Sequence, residues 1–64
     1  MNIGANIKVI REQAGMTQSE LSTKCGISTE HISRIENDKF IPNIKTAVVI
    51  AEALGVTLNE LLAE

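Results

Sequence analysis

At 64 residues the chain accommodates one small domain and leaves no room beside it for a catalytic or ligand-sensing domain, which excludes most enzymes. A net charge of −2 argues against strong non-specific affinity for a polyanion. Phe40 is the only Phe, Tyr or Trp residue, so the stacking platform on which single-strand nucleic-acid binders hold successive bases is excluded as well.

Ile3, Ile7, Ile10 and Ala14 recur at spacings of four, three and four, which predicts a first helix over about 3–14 with these side chains on its buried face, ended by Gly15. Thr17 and Glu20 form a capping box, and Met16 with Leu21 occupies the positions of a hydrophobic staple, so a second, short helix is expected from there to about Lys24. Cys25-Gly26 breaks it, because glycine takes left-handed backbone angles at little cost. Ser28 is the next N-cap, flanked by Ile27 and Ile32 at staple spacing. A third helix should run from Thr29 to about Asn37, with Ile32 and Ile35 inward and Thr29, Glu30, Ser33 and Arg34 outward.

Asn37-Asp38-Lys39 reads as a turn, and Pro42 keeps the third helix from running on into the apolar stretch behind it. Asn43 caps a fourth helix whose stripe is Ile44, Ala47, Val48, Ala51 and Leu54, with Gly55 at its C-terminal end. Val56, Thr57, Glu60 and Leu61 repeat the staple and the capping box and start a fifth helix carrying Leu58, Leu61 and Leu62. No alternating strand pattern competes, and the expected fold class is all-α, five helices in one domain over residues 1–64.

Two short helices joined through a glycine-containing turn, the second with a polar outer face, have the layout that places a recognition helix in the DNA major groove. The unit covers about residues 17–37. Residues 7–62 also resemble the Cro and phage-repressor, Xre-like family of helix-turn-helix proteins. The resemblance is carried by Ile10-Arg11-Glu12, by Met16-Thr17-Gln18-Ser19-Glu20-Leu21-Ser22 and by Ile32-Ser33-Arg34-Ile35-Glu36-Asn37-Asp38-Lys39. It continues through Pro42 and the segment from Ile50 to Leu62, so nearly the whole chain is involved.

The resemblance implies a lambda-repressor-like DNA-binding fold that acts as a transcriptional regulator on double-stranded DNA. In it Gln18, with Thr17 beside it, holds a phosphate at the start of the second helix, where free N–H groups and the helix dipole favour an anion. By position Thr29, Glu30, Ser33 and Arg34 face the base edges, and Ser28, Asn37 and Lys39 reach the backbone. Their chemistry suits the task, since Arg can fork onto guanine, Glu can accept from cytosine, and Ser or Thr can bond either way. Arg11 and Glu36 resemble a family pair that ties the first helix to the end of the third, and they are assigned to structure. Asp38 departs from the family's usual glycine and sets a negative charge beside the phosphate path.

All six basic residues lie in residues 1–45, which carry a net +1, whereas residues 46–64 carry −3. Cys25 is read as a small apolar side chain, with no second cysteine for a disulfide or a zinc site. His31 is read as a surface or packing histidine, because Ser28 and Glu36 do not form a triad with it. No basic leader precedes an apolar run and no segment approaches the ~18 apolar residues of a membrane span, so a soluble cytoplasmic protein without cofactor or metal is expected. Leu58, Leu61 and Leu62 exceed what one short helix needs for its own core, and a homodimer through the fifth helix is expected to use them. A repressor acting as a dimer on an inverted repeat is the favoured reading. The alternative is a protein-interaction module of the same fold, antitoxin-like or an adaptor, that docks a protein partner and contacts DNA weakly or not at all.

Overall fold

Each helix begins where a short polar side chain can hold a backbone N–H that the helix leaves without a partner. In the computed structural model, which describes residues 2–63, Asn2, Thr17, Ser28, Asn43 and Thr57 each accept a hydrogen bond from the N–H three residues on. The helices they open are α1 Ile3–Gln13, α2 Gln18–Cys25, α3 Thr29–Glu36, α4 Ile44–Leu54 and α5 Leu58–Leu62, and the described residues contain no strand.

The helix ends are equally local. After α1, Gly15 takes φ 73°, its N–H donates to the Glu12 carbonyl at 3.0 Å and the Met16 N–H donates to Arg11 at 3.0 Å, the paired closure of a Schellman motif. The end of α3 repeats it without a glycine. Asp38 sits at φ 61°, its N–H donates to Ile35 at 3.2 Å and that of Lys39 to Arg34 at 2.8 Å.

Ile7, Leu21, Ile32, Ile35, Ile50 and Leu61, at least one from every helix, are almost wholly buried against one another, with Ala51 and Leu54 completing the core. α1 packs on α3 and α5, α2 packs on α3 and α4, and α4 on α5. Three members of the expected apolar stripes are not in this core: Val48 is only half-buried, and Ala14 and Ile44 are exposed. Ala14 is exposed, because α1 stops at Gln13 and Ala14 only caps it. Ile44 is 69% exposed: as the first residue of α4 it projects past the end of the bundle, and the stripe that packs is Ala47, Ile50, Ala51 and Leu54.

α5 is the other correction. Leu61 lies at the centre of the monomer with no exposed surface and is not free to serve the expected interface, whereas Leu58 and Leu62 are half-buried. Five short helices converge on one core, and Leu61 is taken up in it. α5 is further fastened by Asn6, whose amide nitrogen donates to the Leu61 and Ala63 carbonyls at 2.8 and 2.6 Å.

α1 crosses α3 at Gly4, where a Cβ would run into the carbonyl oxygen of Ile35. Gly4→Ala should gain about 1 kcal/mol of helix propensity but lose about 1–3 kcal/mol to overpacking against backbone that cannot rotate away. A lower midpoint of thermal unfolding than the parent chain is the expected result.

Candidate nucleic-acid interface

At about 100° per residue, Thr29, Glu30, Ser33 and Arg34 fall within about 140° of the α3 circumference. Ile32 and Ile35, both buried, take the opposite side, and Glu36, also buried, lies at the edge of the face one turn and more beyond Thr29. Thr29, Glu30 and Arg34 are exposed and Ser33 is half-exposed, so the four proposed readers form one outward face at the start and middle of the helix. His31 lies at its margin, with its ring 4.5 Å from that of Phe40 in the α3–α4 loop. This contact has no signature in the sequence, since the two residues belong to different elements.

The turn between α2 and α3 is set by Gly26 at φ 75°, whose N–H donates to the Ser22 carbonyl, and by the Ser28 cap. The Ser28 hydroxyl accepts from the His31 N–H at 3.1 Å, which leaves its own hydrogen to donate outward. Thr17 is committed more fully. Its hydroxyl accepts from the Glu20 N–H at 3.0 Å, and its N–H donates to the Glu20 carboxylate at 2.9 Å. Hydrogen bonds from the Thr17 backbone, then from its side chain, hold the Glu20 carboxyl below the ordinary carboxylate value. Stabilisation of this cap is therefore present above that ordinary value and is lost as the pH falls through the lowered one.

Gln18 opens α2 half-exposed, but it is not isolated. Its Nε2 donates to Glu36 Oε1 at 3.0 Å. Arg11 donates to the same carboxylate through Nε at 2.7 Å and Nη2 at 3.1 Å, and through Nη1 to the Met16 carbonyl at 2.7 Å. Both members of the ion pair are buried, and the Glu36 hydrogen bond raises the Arg11 pKa further above its ordinary value. One carboxylate thus joins the end of α1, the start of α2 and the end of α3.

Beyond α3, Asn37 turns its amide nitrogen back to the Ser33 carbonyl at 2.9 Å and hydroxyl at 3.3 Å, so its donor is engaged within the helix. Lys39 is exposed. Asp38 beside it is also exposed and accepts from the Asn2 amide at 3.4 Å. Near the same loop Phe40, Ile41 and Ile44 are 43, 81 and 69% exposed, apolar surface outside the predicted α5 interface. The only signal in the sequence is that Phe40-Ile41 precedes a proline in a segment too short to be a helix.

The helix-turn-helix family model HTH_3 matches residues 7–61. The immunity repressor protein of Bacillus phage phi105 is 33% identical over 64 residues, covering 100% of this chain and 44% of that protein. The HTH-type transcriptional repressor RghR of Bacillus subtilis is 36% identical over 62 residues, 95% of this chain and 46% of its own length. The chain thus spans less than half of these two relatives, although it covers 78% of the HTH-type transcriptional regulator y4dJ of Sinorhizobium fredii at 33% identity. Among solved structures, a hypothetical transcription factor, NHTF, from Neisseria superposes with a TM-score of 0.90 at 28% identity, covering 95% of this chain and 70% of that one. The arrangement of α2 and α3, the Arg11–Glu36 anchor and these matches agree: the chain belongs to the Xre- and Cro-like helix-turn-helix family of DNA-binding transcriptional regulators.

Proposed function

We propose that the protein is a sequence-specific repressor that binds double-stranded DNA as a homodimer on an inverted repeat. The observation that carries this is the single outward face formed by Thr29, Glu30, Ser33 and Arg34 on a helix anchored at its far end by Glu36. Relatives named as an immunity repressor and a transcriptional repressor support it. Arg34 supplies the strongest reader. Gln18, Ser28 and Lys39 meet the backbone, and Thr17 and Asn37 serve mainly to cap and close the helices they flank.

Dimension and surface chemistry favour a second copy as the partner. Recognition helices in successive major grooves lie about 34 Å apart, and the longest Cα extent of the domain is 25 Å. The exposed apolar group Phe40, Ile41 and Ile44 suits a contact between two copies. Ile41 edges a depression of about 280 Å³ shared with Asn2, Ile3 and Asp38. Asp38 lines the same depression, and Lys39 and Lys45, nearby in the chain, are exposed, so groups of both signs are available to a second copy.

Selection from a randomised duplex pool at two salt concentrations tests the reading. An enriched inverted repeat whose retention falls at the higher salt is expected. No enrichment by folded protein would overturn it in favour of a protein-docking module. On the selected duplex, Arg34→Ala should cost about 1–3 kcal/mol and relax the preference at one base pair per half-site. Asp38→Asn keeps a residue that tolerates the left-handed angle while removing a charge. It should tighten binding by about 1 kcal/mol, about fivefold, at low salt, and the gain should shrink as salt rises.

A further inference from the structure

We propose that Glu36 is a positioning residue for the DNA backbone contact: it fixes the orientation of the Gln18 amide so that a nitrogen-bound hydrogen, and not the carbonyl oxygen, faces the phosphate. The inference rests on the reading of Gln18 as a phosphate contact and goes beyond the structural role of the Arg11–Glu36 pair. A glutamine amide presents donors on one side and an acceptor on the other. Turned one way it binds a phosphate oxygen, and turned the other way its carbonyl repels it. A free, solvated glutamine visits both.

Gln18 is not free to do so. A carboxylate only accepts, so the group 3.0 Å from Glu36 Oε1 must be the Gln18 nitrogen, and the carbonyl oxygen cannot replace it. One Nε2 hydrogen is held there, and the second remains to donate at the start of α2. Glu36 can serve as the reference because it scarcely moves. It is buried, gripped by Arg11 at 2.7 and 3.1 Å, and Arg11 is itself bound to the Met16 carbonyl. The guanidinium also neutralises the carboxylate, so the positioning group does not repel the phosphate it serves. Because Glu36 is the last residue of α3, the backbone contact of α2 and the reading face of α3 share one anchor, and a shift in either is felt by the other.

The test measures affinity for the selected duplex carrying single neutral methylphosphonates, one backbone position at a time. In the parent protein several positions per half-site should weaken binding, one of them by about tenfold through the loss of one hydrogen bond to a charged group, and Gln18→Ala should abolish the penalty at that position alone. The double variant Arg11→Met, Glu36→Leu removes both charges together and leaves the amide without its guide. It should reduce the penalty at that position to under about threefold while leaving the penalty at the Lys39 phosphate unchanged. If no position loses its penalty in Gln18→Ala, the reading of Gln18 fails and the positioning role fails with it. If such a position exists and keeps its full penalty in the double variant, Gln18 stands and the role of Glu36 is overturned.

Should the double variant not fold, side-chain amide resonances of the parent protein decide. Gln13, exposed at the end of α1, is the only other glutamine and gives the reference signal. A Gln18 pair displaced from it, with one proton slow to exchange and only the other shifting on addition of duplex, sustains the proposal. A Gln18 pair that coincides with Gln13 and shifts as a unit overturns it.

Discussion

Glu36→Leu alone is expected to unfold much of the domain, and adding Arg11→Met is expected to restore most of what is lost. The asymmetry follows from where the charges are. Arg11 and Glu36 are each 7% exposed, and removing the carboxylate leaves a largely buried guanidinium with no counterion. An unpaired buried charge of this kind costs about 3–5 kcal/mol. At about 0.05–0.15 kcal/mol per residue the whole domain is worth roughly 3–10 kcal/mol, so the single change consumes a large part of it. Replacing both charges with apolar side chains of similar volume is often neutral or stabilising. Urea unfolding of the two single variants and the double variant, followed by circular dichroism, measures the coupling. Additive effects would show that the pair contributes as two independent side chains.

Leu61→Glu should abolish cooperative unfolding altogether. The leucine has no exposed surface and touches a core drawn from all five helices. Truncating such a leucine costs about 2–5 kcal/mol, and a carboxylate left there without a partner adds several more. The result should be the same at every protein concentration, because the damage is within the monomer. Ile41→Glu provides the contrast. That side chain is 81% exposed, so the variant should fold and melt like its parent at low concentration. Sedimentation equilibrium should nevertheless show weaker self-association. A Leu61→Glu variant that folded and merely failed to associate would return the dimer contact to α5.

The parts of this fold that show in the sequence are those decided within a few residues. Thr17 with Glu20, Thr57 with Glu60, Ser28 and Asn43 all cap helices within one turn of themselves, and Gly15, Gly26 and Gly55 end helices by their own backbone freedom. The face formed by Thr29, Glu30, Ser33 and Arg34 follows from period alone, but its meaning came from resemblance. Periodicity says which side of a helix is apolar, not how far along its length another helix covers it, and Ile44 is exposed for that reason. The same limit misplaced Leu61, since a surplus of leucines looks alike whether it fills a shared core or an interface. The bonds from Asn6 to Leu61 and from Gln18 to Glu36 span 55 and 18 residues, distances over which no local pattern operates.

The fastening of α1 to both α3 and α5 bears on how the molecule comes apart. Neighbours in the chain are often not neighbours in the core, so α2 and α3 alone would have to leave Leu21, Ile32 and Ile35 facing water in place of Ile7, Ile50 and Leu61. The α2–α3 pair is therefore not a module that can be cut out and grafted elsewhere. Amide hydrogen exchange should reveal a single cooperative unit, with the slowest protons of α1, α3 and α4 released together in one global opening rather than in steps.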